Sequence, residues 1–167
     1  GKEMIALSNA VSAKLEVNLF HRSQARIEKV VAHLERLGAK GVLGRDATEL
    51  IPGLAQPRAH CTAEGIFSAD AVFVPLEDGD RAEALVRMGK AVVAVDLNPL
   101  SRTAKTATVT IVDELTRAVP NVVRSVKEMK GWPKARLRKL AEGFDNAENL
   151  AEARRAMARG LAGVKSH

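Results

Sequence analysis

The feature that most constrains the fold is a strand, helix, strand pattern within residues 71–96. The apolar run AVFV is short and ends at Pro75, which is typical of a strand buried on both faces. The acidic string LEDGD favours the start of a helix, and Gly89 ends that helix just before a second apolar run, AVVAVD. Parallel strands joined by a helix need a right-handed crossover, so the pattern predicts a layered α/β architecture.

The same alternation continues on both sides of this unit. Residues 14–20 alternate apolar and polar side chains and predict a strand, after which Ser23 caps a helix that ends at Gly38. Towards the C-terminus, the β-branched run TVTIVD predicts another strand, and a helix follows from about Glu114. Pro120 lies inside that helical pattern and indicates either a later start or a bend. Together these elements predict a mostly parallel sheet.

The region before residue 71 is less regular. The apolar pair Val42 and Leu43 predicts a short strand, and residues 45–64 are rich in Gly, Pro and polar side chains, which predicts a long loop. Cys61 lies in that loop and is the only cysteine, so it cannot form an internal disulfide. No His or Asp pattern around it supports a nucleophile, and we expect a buried or incidental thiol.

The basic excess of the chain lies at its C-terminal end. The net charge is +6, yet residues 1–123 carry 15 basic and 15 acidic side chains, whereas residues 124–167 carry 11 and 5. The helical patterns in this part lie at 134–142 and 146–159, after Gly131, Trp132 and Pro133. The predicted division is a core, 1–130, and a basic helical extension, 131–167.

Composition argues against several classes of protein. No apolar run approaches the roughly 20 residues that cross a bilayer, and the first residues lack the pattern of a signal peptide. The single cysteine and four scattered histidines make no metal-ligand spacing. A nucleic-acid-binding module could use the C-terminal charge, but four Phe, one Trp and no Tyr leave little for base stacking. We therefore expect a cytoplasmic protein that binds neither membranes nor nucleic acid.

Three charged loops follow predicted strands, and ligands bind beyond the carboxyl ends of strands in open parallel sheets. These loops are FHRS at 20–23, PLEDGDR at 75–81 and DLNPLSRTA at 96–104. Neither a GxGxxG string nor a GxxxxGK[ST] string is present. A dinucleotide fingerprint and a P-loop are therefore both unsupported.

The loop at 96–104 carries groups that suit a nucleotide. Asp96 could accept hydrogen bonds from a ribose. The donors for a phosphate chain are Asn98, Ser101, Arg102 and Thr103, with Lys105 close behind. The alternative is an ordinary turn, in which Asp96 and Asn98 bind nearby amides and Arg102 is solvated.

The other two loops each have a functional and a structural interpretation. The carboxylates Glu77, Asp78 and Asp80, followed by Arg81, could bind Mg²⁺ or orient an amine nucleophile. The alternative for them is capping of the following helix. In the first loop, His21 and Arg22 could hold a substrate phosphate, and the alternative is a surface turn in which Ser23 caps a helix.

Three long stretches also carry a family resemblance. VSAKLEVNLFHRS (11–23), EGIFSADAVFVPLEDGDRAEALVRMGK (64–90) and AVDLNPLSRTAKTATVTIVDELTRAVPN (94–121) closely resemble the archaeal 4-phosphopantoate–β-alanine ligases, also called phosphopantothenate synthetases. PLEDGDR and DLNPLSRTA are unusual strings in matching order, so the resemblance is specific. It spans most of residues 1–130, and we expect a poor match beyond residue 130. The largely helical N-terminal portion of the family, with basic residues that contact ATP, is absent from this sequence.

The resemblance implies a Rossmann-like three-layer fold with a helical C-terminal extension, in a homodimer that needs Mg²⁺. It also implies an acid–amino-acid ligase that condenses 4-phosphopantoate with β-alanine in coenzyme A biosynthesis. In that reaction ATP becomes AMP and pyrophosphate through a phosphopantoyl adenylate. The residues implied to contact ATP are Asp96, Leu97, Asn98, Arg102 and Thr103, with Glu114 and Leu115 near the nucleotide.

Roles within the loops follow as hypotheses. Arg102 would neutralise charge on the α-phosphate and the leaving pyrophosphate. His21 and Arg22 would bind the substrate phosphate, and the substrate-binding set also includes Glu77 and Arg81. Glu77, Asp78 and Asp80 would face the metal or the β-alanine ammonium, with Asp78 and Asp80 counted as catalytic. The metal ligands stay unassigned, and two alternatives stay open: a nucleotide-binding regulatory domain without ligase activity, and an acyl-phosphate route that yields ADP.

Overall fold

A computed structural model of the chain describes residues 1–76 and 78–162. The helices are α1 Lys2–Val11, α2 Gln24–Arg36, α3 Gly79–Arg87, α4 Arg102–Thr106, α5 Leu115–Met129, α6 Lys134–Glu142 and α7 Asn146–Ala162. The strands are β1 Glu49–Leu50, β2 His60–Cys61, β3 Ala71–Val74, β4 Ala91–Val95 and β5 Val109–Ile111. A short 3-10 turn at Pro57–Ala59 and a π-helical turn at Ala63–Phe67 lie between them.

The centre of the fold is a three-stranded parallel sheet in the order β3-β4-β5. Val72 pairs with Val92, and Val93 pairs with Val109. Helix α3 connects β3 to β4, and its Leu85 is fully buried in the same core as β4. This arrangement confirms the predicted α/β class and is consistent with a Rossmann-like fold. The predicted strands at 71–74 and 91–95 and the helix between them are all present.

The strand predicted at 14–20 is wrong in extent. Only one parallel bridge forms there, between Glu16 and Leu43, supported by hydrogen bonds from Val17 N to Leu43 O (2.9 Å) and from Leu43 N to Leu15 O (2.8 Å). Gly44 turns the partner segment away at φ 114°, and a Cβ there would lie 2.3 Å from Val17 O. The alternation was nevertheless informative, because Val17 is buried in a second apolar cluster with α2.

Two further expectations need correction. Residues 45–64 are not one irregular loop, because β1 and β2 pair in antiparallel fashion within it. Strands of two residues are too short to show an alternation of apolar and polar residues from which they could be predicted. Helix α4 was also not predicted; Ser101 caps it by accepting a hydrogen bond from Ala104 N at 2.9 Å.

The predicted helices elsewhere are confirmed. Ser23 caps α2 as expected, by accepting from the backbone N of Arg26. Helix α5 begins at Leu115, directly after its cap Glu114, and continues through Pro120. Pro120 therefore does not delay the start of the helix, and its missing N–H removes one bond from the helix interior. Helix α1 packs against α5. No helix in 1–76 or 78–162 is long and apolar enough to span a bilayer.

Helix α7 is attached to the sheet by two asparagines. Asn146 Oδ1 accepts from Thr110 N at 2.9 Å, and Asn146 Nδ2 donates to Ala104 O at 3.0 Å and Ala107 O at 2.9 Å. Asn149 Nδ2 donates to Thr110 O at 2.9 Å. Because β5 is an edge strand, the bonds to Thr110 satisfy backbone groups that an edge leaves open, and the other two bonds hold the end of α4. Helix α6, by contrast, has no buried residue.

The asparagine contacts predict a measurable cost of removal. Asn146→Ala should lower the free energy of unfolding by about 1–3 kcal/mol, because Thr110 N–H and the Ala107 carbonyl lose their bonds to this side chain, whereas the Ala104 carbonyl still accepts from the Thr110 hydroxyl. Urea unfolding measures this. Asn121→Ala is the control, since Asn121 is exposed on α5. Equal stability of the two variants would contradict the role of Asn146.

The buried cysteine gives a second prediction. Burial raises the pKa of the Cys61 thiol from 9.0 to about 11, which leaves about one hundredth of the usual thiolate at pH 8. Iodoacetamide at pH 8 should therefore alkylate Cys61 at least about a hundredfold more slowly in the folded protein than in urea. Mass spectrometry follows the reaction, and similar rates in both states would show that this thiol is accessible and reactive.

Candidate functional site

The three charged loops lie together at one end of the sheet. Asp78, after β3, donates its backbone N–H to Thr103 Oγ1 in the loop after β4 at 3.0 Å. The Asp78 carboxylate forms an ion pair with Arg58. The Arg58 guanidinium in turn lies 5.6 Å from the centre of the Phe20 ring, in the first loop. One chain of contacts therefore connects the loops at 20–23, 75–81 and 96–104.

The loop after β4 is organised by its own polar side chains. Asp96 is buried, and its Oδ1 accepts from Asn98 N at 2.8 Å while its Oδ2 accepts from the Ser101 hydroxyl. Asn98 Oδ1 accepts from Leu100 N at 2.9 Å. Asp96 and Asn98 therefore bind amides of their own loop, as the ordinary-turn alternative predicted. Each carboxylate oxygen has a further lone pair, so these bonds do not prevent a contact with a ligand.

The exposed side chains of this loop include Leu97, Asn98, Leu100 and Arg102. Arg102 is 60% exposed and forms an ion pair with Asp80, itself 58% exposed. Gly79 makes this crossing possible, because a Cβ there would lie 2.6 Å from Arg102 Nε. Thr103 is fully buried, and its hydroxyl accepts from Asp78 N. Its side chain therefore joins two loops and does not face solvent as a phosphate donor.

Asp78 is the most highly connected of the acidic residues. Its carboxylate caps α3 by accepting a hydrogen bond from Arg81 N at 3.2 Å. Helix capping was the alternative to a metal or amine role for the carboxylates of this loop. Its carboxylate is 6% exposed and lies between Arg58 and Arg81, with Arg81 Nε 3.4 Å from Asp78 Oδ2. Glu77, which we grouped with it, lies outside the described residues.

Arg81 and Arg58 are joined by a residue that the sequence analysis did not select. Arg81 Nη1 donates to Asn18 Oδ1 at 3.0 Å, and Asn18 Nδ2 donates to Arg58 O at 3.2 Å and His60 O at 2.8 Å. Burial is the largest influence on Arg81 and lowers the pKa of its guanidinium. No local pattern marks Asn18 or Arg58. The only available signal for Arg58 is a lone charge among small and apolar residues in LAQPRAHC.

The first loop borders a cavity. Arg22 Nη2 donates to Gly44 O at 3.0 Å, whereas Arg22 Nη1 is buried without a hydrogen-bond partner among the described residues. A cavity of about 510 Å³ is lined by Arg22, Gln56, His60 and the apolar residues Leu50, Leu54, Ala55, Pro57 and Ala59. His21 is exposed, with its ring centre 5.0 Å from that of Phe20 in an edge-on arrangement. Arg22 is therefore a cation with free hydrogen-bonding capacity beside an apolar space.

Glu114 and Leu115 follow β5 at the same end of the sheet. Glu114 caps α5 by accepting from Thr116 N at 2.9 Å. A hydrogen bond from the Thr116 hydroxyl, the largest influence, lowers the pKa of Glu114. Leu115 is half-buried at the first position of α5. Glu114 thus remains a charged group, held by its own helix.

The described residues contain no group of three or more His, Cys, Asp and Glu side chains arranged for a metal ion. Asp78 is engaged by two arginines, and among the described residues of this loop Asp80 is the accessible carboxylate. Mg²⁺ is commonly held by one or two carboxylates together with substrate phosphates. The residues therefore fit a metal that binds with a nucleotide better than one held by protein ligands alone.

Comparisons with known proteins identify the family of the chain. The sequence profile of the phosphopantothenate/pantothenate synthetase family matches residues 1–160. The match continues past residue 130, so our expectation of a poor match there was wrong. A 4-phosphopantoate–β-alanine ligase of Thermococcus kodakarensis is 47% identical over 152 residues, 90% of this chain and 58% of that protein.

Two further ligases of the same name show similar agreement. That of Methanosarcina mazei is 46% identical over 151 residues, which are 90% of this chain and 59% of that protein. That of Methanospirillum hungatei is 48% identical over 128 residues, which are 77% of this chain and 52% of that protein. The chain thus spans between half and three fifths of the length of these curated relatives. It belongs to the phosphopantothenate/pantothenate synthetase family.

Proposed function

We propose that this chain forms the nucleotide- and substrate-binding core of an ATP-dependent ligase. The enzyme would join 4-phosphopantoate to β-alanine and release 4′-phosphopantothenate, AMP and pyrophosphate, in coenzyme A biosynthesis. The observation that carries the proposal is the hydrogen bond from Asp78 N to Thr103 Oγ1. This bond holds the loop at 96–104, which carries the groups suited to a nucleotide, against the loop at 75–81. Asp78 of the second loop contacts two arginines, so ATP and an acidic substrate would bind next to each other there.

The nucleotide would bind along residues 96–103. Asp96 and Asn98 would accept from the ribose with their remaining lone pairs, and the exposed Leu97 would offer an apolar contact. The Thr103 side chain would support this loop from within, and Glu114 and Leu115 would border the nucleotide. Arg102 would leave its ion pair with Asp80 and bind a phosphate of the nucleotide, because a solvent-exposed ion pair contributes little stability and breaks easily.

The reaction would proceed in two displacements. A carboxylate oxygen of 4-phosphopantoate would attack the α-phosphate of ATP, which forms an acyl adenylate and releases pyrophosphate. The amine of β-alanine would then attack the acyl carbon, and AMP would leave. Arg102 would neutralise the charge on the α-phosphate and the leaving group, and Asp80 would be the exposed carboxylate for the ammonium or the metal. Mg²⁺, when bound with ATP, supplies further neutralisation of the phosphate oxygens.

The organic substrate would occupy the side of the site that carries the arginines. Arg22 would bind its phosphate with the free Nη1 atom, and His21 would lie at the exposed edge. Arg81 would attract the substrate phosphate as a buried positive charge without contacting it directly, since its Nη1 donates to Asn18. The family resemblance supports a homodimer, and the single cysteine, which cannot form an internal disulfide, supports a cytoplasmic location.

Product analysis tests the reaction. A protein that carries this chain together with the family's N-terminal portion should form AMP only when ATP, Mg²⁺, 4-phosphopantoate and β-alanine are all present. Arg102→Ala should lower the rate of AMP formation by about a hundredfold or more, because no guanidinium would then stabilise the negative charge that develops on the leaving pyrophosphate. Chromatography separates AMP from ADP. Formation of ADP would replace the adenylate by an acyl phosphate, and ATP binding without either product would favour a regulatory domain.

The role of Arg22 predicts a selective kinetic effect. Arg22→Ala should raise the KM for 4-phosphopantoate by about tenfold or more and leave the KM for ATP within about twofold, because a charge-assisted bond to the phosphate is lost. Arg26→Ala is the matched control on α2, where Arg26 is exposed. Steady-state kinetics with each substrate varied in turn decide the point. Equal changes in both KM values would contradict the assignment.

A further inference from the structure

The buried arginines of the site have donors that the protein does not use. Arg58 Nε, Arg81 Nε and Arg22 Nη1 are each buried without a hydrogen-bond partner among the residues that the structure describes. Arg81 Nε lies within ion-pair distance of Asp78 but makes no hydrogen bond to it. A buried donor without a partner costs stability, and most native proteins avoid it. Arg58 and Arg81 both contact Asp78, and Arg22 lines a cavity together with Pro57 and Ala59, the two chain neighbours of Arg58. Three such donors indicate a site completed by an acceptor from outside the chain.

The charge of this region leads to the same conclusion. Within 1–76 and 78–162, Asp78 is the only carboxylate in ion-pair contact with Arg58 or Arg81. The negative charge of Glu16 also raises the pKa of Arg81, although burial lowers it more. The Glu16 carboxylate, however, accepts hydrogen bonds from Thr62 N, the Thr62 hydroxyl and Ile66 N. With Arg22 added, cations outnumber carboxylates, and a desolvated cation needs a counter-charge.

We propose that Arg58 binds the phosphate group of the organic substrate together with Arg22, and that Asp78 is the positioning residue that holds Arg58 in place. The inference rests on the proposed function for the identity of the substrate. Its own basis is the anion-binding chemistry of these arginines, since a guanidinium offers several donors in a rigid fork that suits phosphate oxygens.

Two contacts fix the direction of the Arg58 side chain. Asp78 forms an ion pair with Nη1, and the Phe20 ring lies beneath the guanidinium at 5.6 Å. Arg58 Nε is buried without a hydrogen-bond partner among the described residues, so the ion pair does not consume the capacity of Arg58 to bind an anion. Asp78 also holds Thr103 through its backbone N–H, which joins the anion site to the nucleotide loop. Movement of Asp78 would therefore disturb both sites.

Binding of inorganic phosphate tests the role of Arg58 without any need for ligase activity. Isothermal titration should give about tenfold or more weaker phosphate binding for Arg58→Gln, and an intermediate loss for Arg58→Lys, which keeps the charge but not the fork. Arg87→Gln is the control, because Arg87 is an exposed residue of α3 that forms an ion pair with Glu83. ATP affinity should stay within about twofold in all three variants. Unchanged phosphate binding in Arg58→Gln, or no phosphate binding by the unmodified protein, would overturn the proposal.

Asp78→Asn separates positioning from simple electrostatics. Asn caps a helix as well as Asp does, so α3 should survive, while the ion pair with Arg58 is lost. Removal of a negative charge alone would tighten phosphate binding. A positioning role instead predicts binding weakened by about fivefold or more, and tighter binding would overturn it.

Kinetics of the same variants keep this inference distinct from the proposed function. Loss of phosphate binding in Arg58→Gln, in a protein that forms neither AMP nor ADP, would support the anion site and reject the ligase. An active ligase whose KM for 4-phosphopantoate is unchanged in Arg58→Gln would reject the anion site and support the ligase.

Discussion

The interaction on which the site depends is the set of contacts made by Asp78. One buried carboxylate caps α3, pairs with Arg58 and lies against Arg81, while the backbone N–H of the same residue holds Thr103. A buried ion pair is costly to form and more costly to leave half-broken. The cost is met here because several hydrogen bonds converge on the same residue. Asp78 therefore belongs to the framework of the site, and its position decides where the arginines and the nucleotide loop lie.

The loop after β4 shows a related principle, in which polar side chains fix a loop before any ligand arrives. Asp96, Asn98 and Ser101 use one another and nearby amides, so the loop has a defined shape in the free protein. A loop that is already ordered loses less entropy on binding. The order extends to α7, because Asn146 holds the carbonyl of Ala104 in α4. Helix α7 thus stabilises the segment that carries Arg102.

The sequence predicts the parts of this structure that rest on local chemistry. The crossover at 71–95, the Ser23 cap and the loops at the strand ends all follow from period, capping and turn residues. Arg58 and Asn18 could not be found in that way, because their importance comes from contacts with residues distant in the chain, such as Asp78 and Arg81. The extent of the pairing at residues 14–20 also depends on the partner segment, which Gly44 ends after a single bridge.

The two ion pairs of the site differ in a way that suits different tasks. The ion pair between Arg102 and Asp80 is exposed to solvent, where breaking it costs little free energy. Arg102 can therefore move towards the negative charge that develops during the reaction. Arg58 and Asp78 meet in a largely buried place, where separation is expensive, so Arg58 stays fixed. In the proposed reaction, interactions that strengthen in the transition state accelerate the chemistry, whereas constant ones only bind. The exposed arginine is therefore the one suited to the adenylation step, and the buried one is suited to holding the substrate still.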